Sequence, residues 1–176
     1  MCVTLNDSSF PNYPLTYLPN ITRYFNYRLT GTGWAEATFA NEKQTITFEV
    51  SYLSDPLSDL FDGLSRLINN QSDTEKVIFA EEPGEHCLII SKQDNSIVKV
   101  EIYWSDEWEE ISIAYKNTSK KELVYSDYDT LKSFATVICT GIDSLLERLT
   151  LTEYKEKWHL FEFPTDSYKK LRQLLN

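Results

Sequence analysis

A chain of 176 residues is long enough for one domain with a substantial core and short for two. With 41% hydrophobic and 14% aromatic residues it is not a disordered chain. Its net charge of -10, from 27 acidic against 17 basic side chains, argues against a nucleic-acid binder, which carries a basic stripe, and against docking on anionic lipid.

Residues 1–20 set Pro11, Pro14 and Pro19 among Phe10, Tyr13, Leu15, Tyr17 and Leu18. Proline fixes φ and removes a donor, so an irregular N-terminal arm pinned by its aromatics is expected there, followed by a single domain over 21–176. From Tyr24 the pattern alternates, with Phe25, Tyr27 and Leu29 on one side; Gly31 and Gly33 mark a turn before a second strand, Trp34–Ala40. Ile46, Phe48 and Val50 alternate with Thr45, Thr47 and Glu49 as a third. Ser54-Asp55-Pro56 opens a helix, a capping side chain followed by proline at the first helical position, and Leu57, Leu60, Phe61, Leu64, Leu67 and Ile68 continue it at the helical period.

Three strands follow, Lys76–Ala80, His86–Lys92 and Ile97–Trp104, joined by Pro83-Gly84 and Asp94-Asn95. Such short connections predict an antiparallel meander. Ile111, Ile113 and Tyr115 alternate weakly, and Leu123-Val124-Tyr125 reads as one more edge strand. The longest helical pattern spans Asp127–Leu149, with Leu131, Phe134, Ala135, Ile138, Ile142, Leu145 and Leu149 on one stripe and Asp127 or Asp129 as its cap. Gly141 within it costs about 1 kcal/mol relative to alanine, which points to close packing at that position. A short helix around Thr152–Trp158 and a last one from Thr165 to Leu175 close the chain. The sum is an α+β domain: a mainly antiparallel twisted sheet with helices packed on one face.

Motifs for chemistry are sparse. Gly31-Thr32-Gly33-Trp34 lacks the third glycine and the helix N-terminus of a phosphate loop. His86 and His159 are the only histidines and fall in no ligand cluster, and Cys2, Cys87 and Cys139 have no metal spacing, so no metal and no cofactor is expected. An odd number of cysteines without a signal peptide, and no run near the roughly 18 apolar residues of a membrane span, read as reduced thiols in a cytoplasmic protein.

Charge is distributed unevenly. Between Glu81 and Glu110 stand nine acidic side chains against Lys92 and Lys99, whereas residues 116–176 are nearly balanced. In a three-stranded antiparallel meander the start of the second strand and the end of the third share one end of the sheet. Glu81, Glu82 and Glu85 can therefore join Asp106, Glu107, Glu109 and Glu110 in one negative surface, with Trp104 and Trp108 in or beside it. Aromatic anchors within a charged surround suit a protein interface, and half-buried packing on the sheet suits the same two indoles equally.

Gly31-Thr32-Gly33-Trp34-Ala35-Glu36, Ser51-Tyr52-Leu53-Ser54-Asp55, Glu81-Glu82-Pro83-Gly84-Glu85 and the C-terminal Tyr154, Trp158, Phe163-Pro164 and Leu171 resemble the punctuation of a group of small single-domain bacterial proteins without an assigned activity. A small, acidic, cysteine-poor chain of this kind more loosely resembles the immunity proteins of contact-dependent growth inhibition systems. That resemblance implies a non-catalytic protein that neutralises a basic toxin domain, an RNase, through the nine residues just named, with no nucleic acid or membrane as partner. The alternative is a carboxylate-dependent hydrolase of a small polar substrate, with Glu36, Glu82, Glu85 and His86 as its candidate groups. A structural or assembly subunit is a third.

Overall fold

The computed structural model describes residues 23–108 and 121–176. Cys2, the N-terminal arm, Glu109, Glu110 and the alternation at Ile111–Tyr115 lie outside them. The strands make two antiparallel sheets. One contains β1 (Tyr24–Gly31), β2 (Trp34–Ala40) and β3 (Thr45–Ser51); the other contains β4 (Thr74–Ala80), β5 (Glu85–Lys92), β6 (Ile97–Ser105) and β7 (Glu122–Thr130), and in both the spatial order is the chain order. Four helices, α1 (Pro56–Ile68), α2 (Leu131–Leu146), α3 (Leu151–Trp158) and α4 (Thr165–Leu175), complete an α+β fold.

Alternation along the strands decides what is buried. Phe25, Tyr27, Ala35, Ala37, Phe39, Phe48 and Val50 turn inward from the first sheet and meet Val77, Phe79, Leu88, Ile90, Val100 and Tyr125 of the second. At the seam Phe39 and Phe48 stack at 6.2 Å and both stand edge-on to Phe79, at 6.1 and 5.4 Å. Such tilted ring pairs contribute roughly 0.5–1.5 kcal/mol each beyond the area they bury.

Helix α1 follows its apolar period: Leu57, Leu60, Phe61, Leu64 and Leu67 are all fully buried. Arg66 clamps the helix to β4, its Nε and Nη2 donating to the two carboxylate oxygens of Glu75 at 2.8 and 2.5 Å. That bidentate pairing holds the Glu75 carboxyl below its usual range.

Asp55 caps α1, its carboxylate accepting from the Ser58 N–H at 3.5 Å. Burial, reinforced by Asp59 and Asp62, pushes its carboxyl from 3.8 up to about 6. With the folded value above the unfolded one, this group favours the folded state fully below about pH 4 and loses that contribution as pH rises through about 6. Asp55→Asn keeps a capping side chain but removes the charge. The variant is expected to exceed the wild type in stability near neutral pH by on the order of 1 kcal/mol, after allowance for solvent screening of the half-buried carboxylate. The two should converge near pH 4. Denaturant midpoints across that range are the measurement, and parallel curves would show that Asp55 titrates at its ordinary value.

Helix α2 begins at Leu131, the first residue of its apolar stripe, and not at Asp127, where the helical pattern of the sequence places its start. Asp127 and Asp129 do not cap it; they belong to β7, which stays paired with β6 as far as Ile97↔Thr130. Both carboxylates turn to Arg23, whose Nε lies 2.6 Å from Asp127 Oδ2 and 3.2 Å from Asp129 Oδ2. Thr130 is the cap, its hydroxyl accepting from the Ser133 N–H at 3.1 Å. Strand pairing and the Arg23 ion pairs together outweigh a local capping preference worth about 1 kcal/mol. At the other end Leu149 lies beyond the helix, because Thr150 and Glu153 form the capping box that starts α3.

Among the described residues no helix is long and apolar enough to cross a membrane.

Candidate functional site

The turn between β4 and β5 is where the acidic residues gather. Glu81 N–H donates to the Gly84 carbonyl at 2.8 Å, closing the turn, and Gly84 sits at φ 94°, a left-handed conformation that glycine adopts without penalty. A side chain at Gly84 would also strike the Ser105 carbonyl and the Trp104 ring, the latter at 2.6 Å from its Cη2. The turn therefore lies flat against the end of β6. Register places Glu85 opposite Ser105 and His86 opposite Trp104, and the Trp108 indole N–H donates to the Glu81 carbonyl at 2.8 Å. The acidic turn and the segment after β6 thus share one end of the sheet.

Within this arrangement the carboxylates have different fates. Glu82, Asp106 and Glu107 are exposed. Glu82 is held in place by the Ser51 hydroxyl, which donates to its Oε1 at 2.6 Å. Glu81 Oε1 lies 3.0 Å from His86 Nδ1, at the margin of the surface. Glu85 departs from the expectation: at 1% exposure it faces no solvent. The start of β5 has no polar face, with Glu85, His86, Cys87 and Leu88 all buried, so strand alternation does not bring its carboxylate outward. Trp104 and Trp108 are both half-buried.

The His86 ring stacks on Phe48 at 3.9 Å with 13° between planes, and tilts against Trp104 at 4.7 Å. It is a packed imidazole, 7% exposed, with Glu81 as a charged neighbour. The four residues considered for hydrolysis do not converge. Glu36 pairs with Arg28 at 3.1 Å on the face of the first sheet away from the core, Glu82 is drawn to Ser51, and Glu85 and His86 occupy opposite faces of β5. Among the described residues no three His, Cys, Asp or Glu side chains are placed to hold a metal ion. Cys87 and Cys139 are buried thiols, and burial pushes the Cys139 thiol up to about 11.

Two contributors to the surface are not legible in the sequence. Ser51 is 31 positions from the glutamate it orients, and Phe48 reaches His86 from another sheet. No local pattern marks either.

Comparison of the chain with protein-family models, with curated proteins and with solved structures finds no match.

Proposed function

We propose that this chain is a non-catalytic immunity protein that occludes a basic toxin domain, an RNase, through the acidic end of its second sheet. The observation that carries the reading is the fixed display of Glu82, Asp106 and Glu107 around two half-buried indoles, with Ser51 and Trp108 holding the turn in shape. A nuclease site is positively charged because it binds phosphate, so a preorganised negative surface competes for it and speeds encounter. Glu81 and Trp104 frame the surface, and Glu109 and Glu110 continue it in sequence, whereas the buried Glu85 has no place on it.

The test is the triple variant Glu82→Lys, Asp106→Lys, Glu107→Lys, measured by stopped flow against a basic protein that copurifies from the native host. Association should slow by at least about tenfold at low salt, and the wild-type rate should itself fall as the Debye length shrinks to about 8 Å at physiological ionic strength. The denaturant midpoint should barely move, since exposed charges contribute roughly 0–1 kcal/mol per pair. Association at the wild-type rate across salt concentrations would reduce the acidic surface to a solubility device.

A further inference from the structure

Helix α3 ends on a strained residue. His159 stands at φ 69° and ψ −67°, the centre of a γ-turn that the Leu160 N–H closes by donating to the Trp158 carbonyl at 2.9 Å. This is not the left-handed helical conformation in which helices commonly end, and a residue with a Cβ is held there at a cost. Among the described residues only Asn70 and His159 combine a positive φ with a side chain, and asparagine tolerates the left-handed region. Gly33 and Gly84, at φ 75° and 94°, make their turns without that cost.

The surroundings hold the turn in place. Trp158 is fully buried, with Tyr27 and Tyr154 around its ring. The Gly33 N–H donates to the Lys157 carbonyl at 2.6 Å, and the Tyr52 N–H donates to the Gly33 carbonyl at 3.0 Å. The Tyr52 ring lies on Gly33 and stands edge-on to the His159 imidazole at 6.3 Å. The imidazole is exposed, Leu160 after it is 54% exposed, and Leu53 after Tyr52 is 37% exposed. This patch adjoins the acidic turn: the Ser51 hydroxyl that donates to Glu82 at 2.6 Å also accepts from the Leu53 N–H at 3.4 Å.

We propose that His159 and Leu160, with Tyr52 and Leu53, form the apolar contact of the surface that binds the basic toxin domain, taking an aliphatic or aromatic side chain that lies beside the toxin's basic residues. Glycine at position 159 would make the same turn unstrained, so what the strain secures is the display of an imidazole and of the leucine after it. The occupant follows from continuity with the acidic turn, since a basic partner seated on Glu82 meets Leu53 next. Exposed carboxylates speed encounter, whereas an apolar anchor within a polar surround slows dissociation. The proposal rests on the reading above for the partner's identity and deepens it by naming the contact that retains the partner.

The variants are His159→Gly, His159→Ala and Leu160→Ser, each measured by denaturant titration and by stopped-flow binding to the purified basic protein that copurifies from the native host. His159→Gly should have a higher denaturation midpoint than His159→Ala, because both lose the imidazole and only glycine relieves the backbone. All three should dissociate from the partner at least about tenfold faster than wild type while associating within about twofold of its rate. A purely structural residue would pair these readouts differently, with His159→Gly more stable and retained as long as wild type. Wild-type dissociation in His159→Gly or in Leu160→Ser, or a midpoint for His159→Gly no higher than that of His159→Ala, overturns the proposal. The triple reversal in the acidic turn acts on association instead, so the two readings fail separately. Slowed association there with wild-type dissociation in His159→Gly removes this contact and leaves the acidic surface; the reverse pattern removes the acidic surface and leaves this contact.

Discussion

Ile138→Asp is expected to unfold the chain. Ile138 is fully buried on α2, in the same continuous core as Phe25, Phe39 and Val100. An aspartate there either ionises without a partner or takes up a proton at a large cost, and it also forfeits the apolar contacts of the isoleucine. Each effect costs several kcal/mol, so together they rival the roughly 5–15 kcal/mol that holds a domain of ordinary stability together. Far-UV circular dichroism and a denaturant titration are the measurements. A cooperative transition with the wild-type midpoint would mean that this stripe of α2 does not face the core.

Gly141→Ala sets a local preference against a tertiary contact. Alanine in a helix interior is favoured over glycine by about 1 kcal/mol, so propensity alone predicts a stabilised protein. A Cβ at this position would stand 2.8 Å from the Phe25 ring Cδ1 and closer still to the Phe25 carbonyl oxygen. Backbone of β1 cannot yield as a flexible side chain would, so α2 must move away from the first sheet. Overpacking of this kind costs typically 1–3 kcal/mol, and a clash against backbone falls at or above the upper end. The clash wins: a net loss of about 2 kcal/mol is expected in chemical denaturation. Gly141→Ser should behave alike, because it adds the same Cβ. A gain in stability for Gly141→Ala would place α2 farther from β1 than the structure has it.

Local periodicity was enough to read α1 from its Asp55 cap through Ile68, the meander β4 to β6, and the two C-terminal helices. In each, the residues that decide the conformation are neighbours in sequence: a cap and proline at Asp55-Pro56, a turn at Pro83-Gly84, a capping box at Thr150 and Glu153. The close approach at Gly141 was legible for the same reason, since a helix tolerates an interior glycine where something presses against it. The gathering of Glu81, Glu82, Asp106 and Glu107 at one sheet end followed from the alternating direction of antiparallel strands.

What the tertiary structure alone decided is pairing over long separations. Residues 127–130 have helical company in the sequence, yet they extend β7 because β6 offers backbone partners and Arg23 offers charge, 104 positions from Asp127. Glu85 reads as one of three equal acids in its turn, but β5 is covered on both faces at its start, so parity along the strand did not determine exposure. Division of the strands into two sheets and the hold of Ser51 on Glu82 depend likewise on which distant segments the shared core brings into contact. A capping aspartate is recognisable from its neighbours, whereas the burial that moves its carboxyl to about 6 is a property of the assembled core.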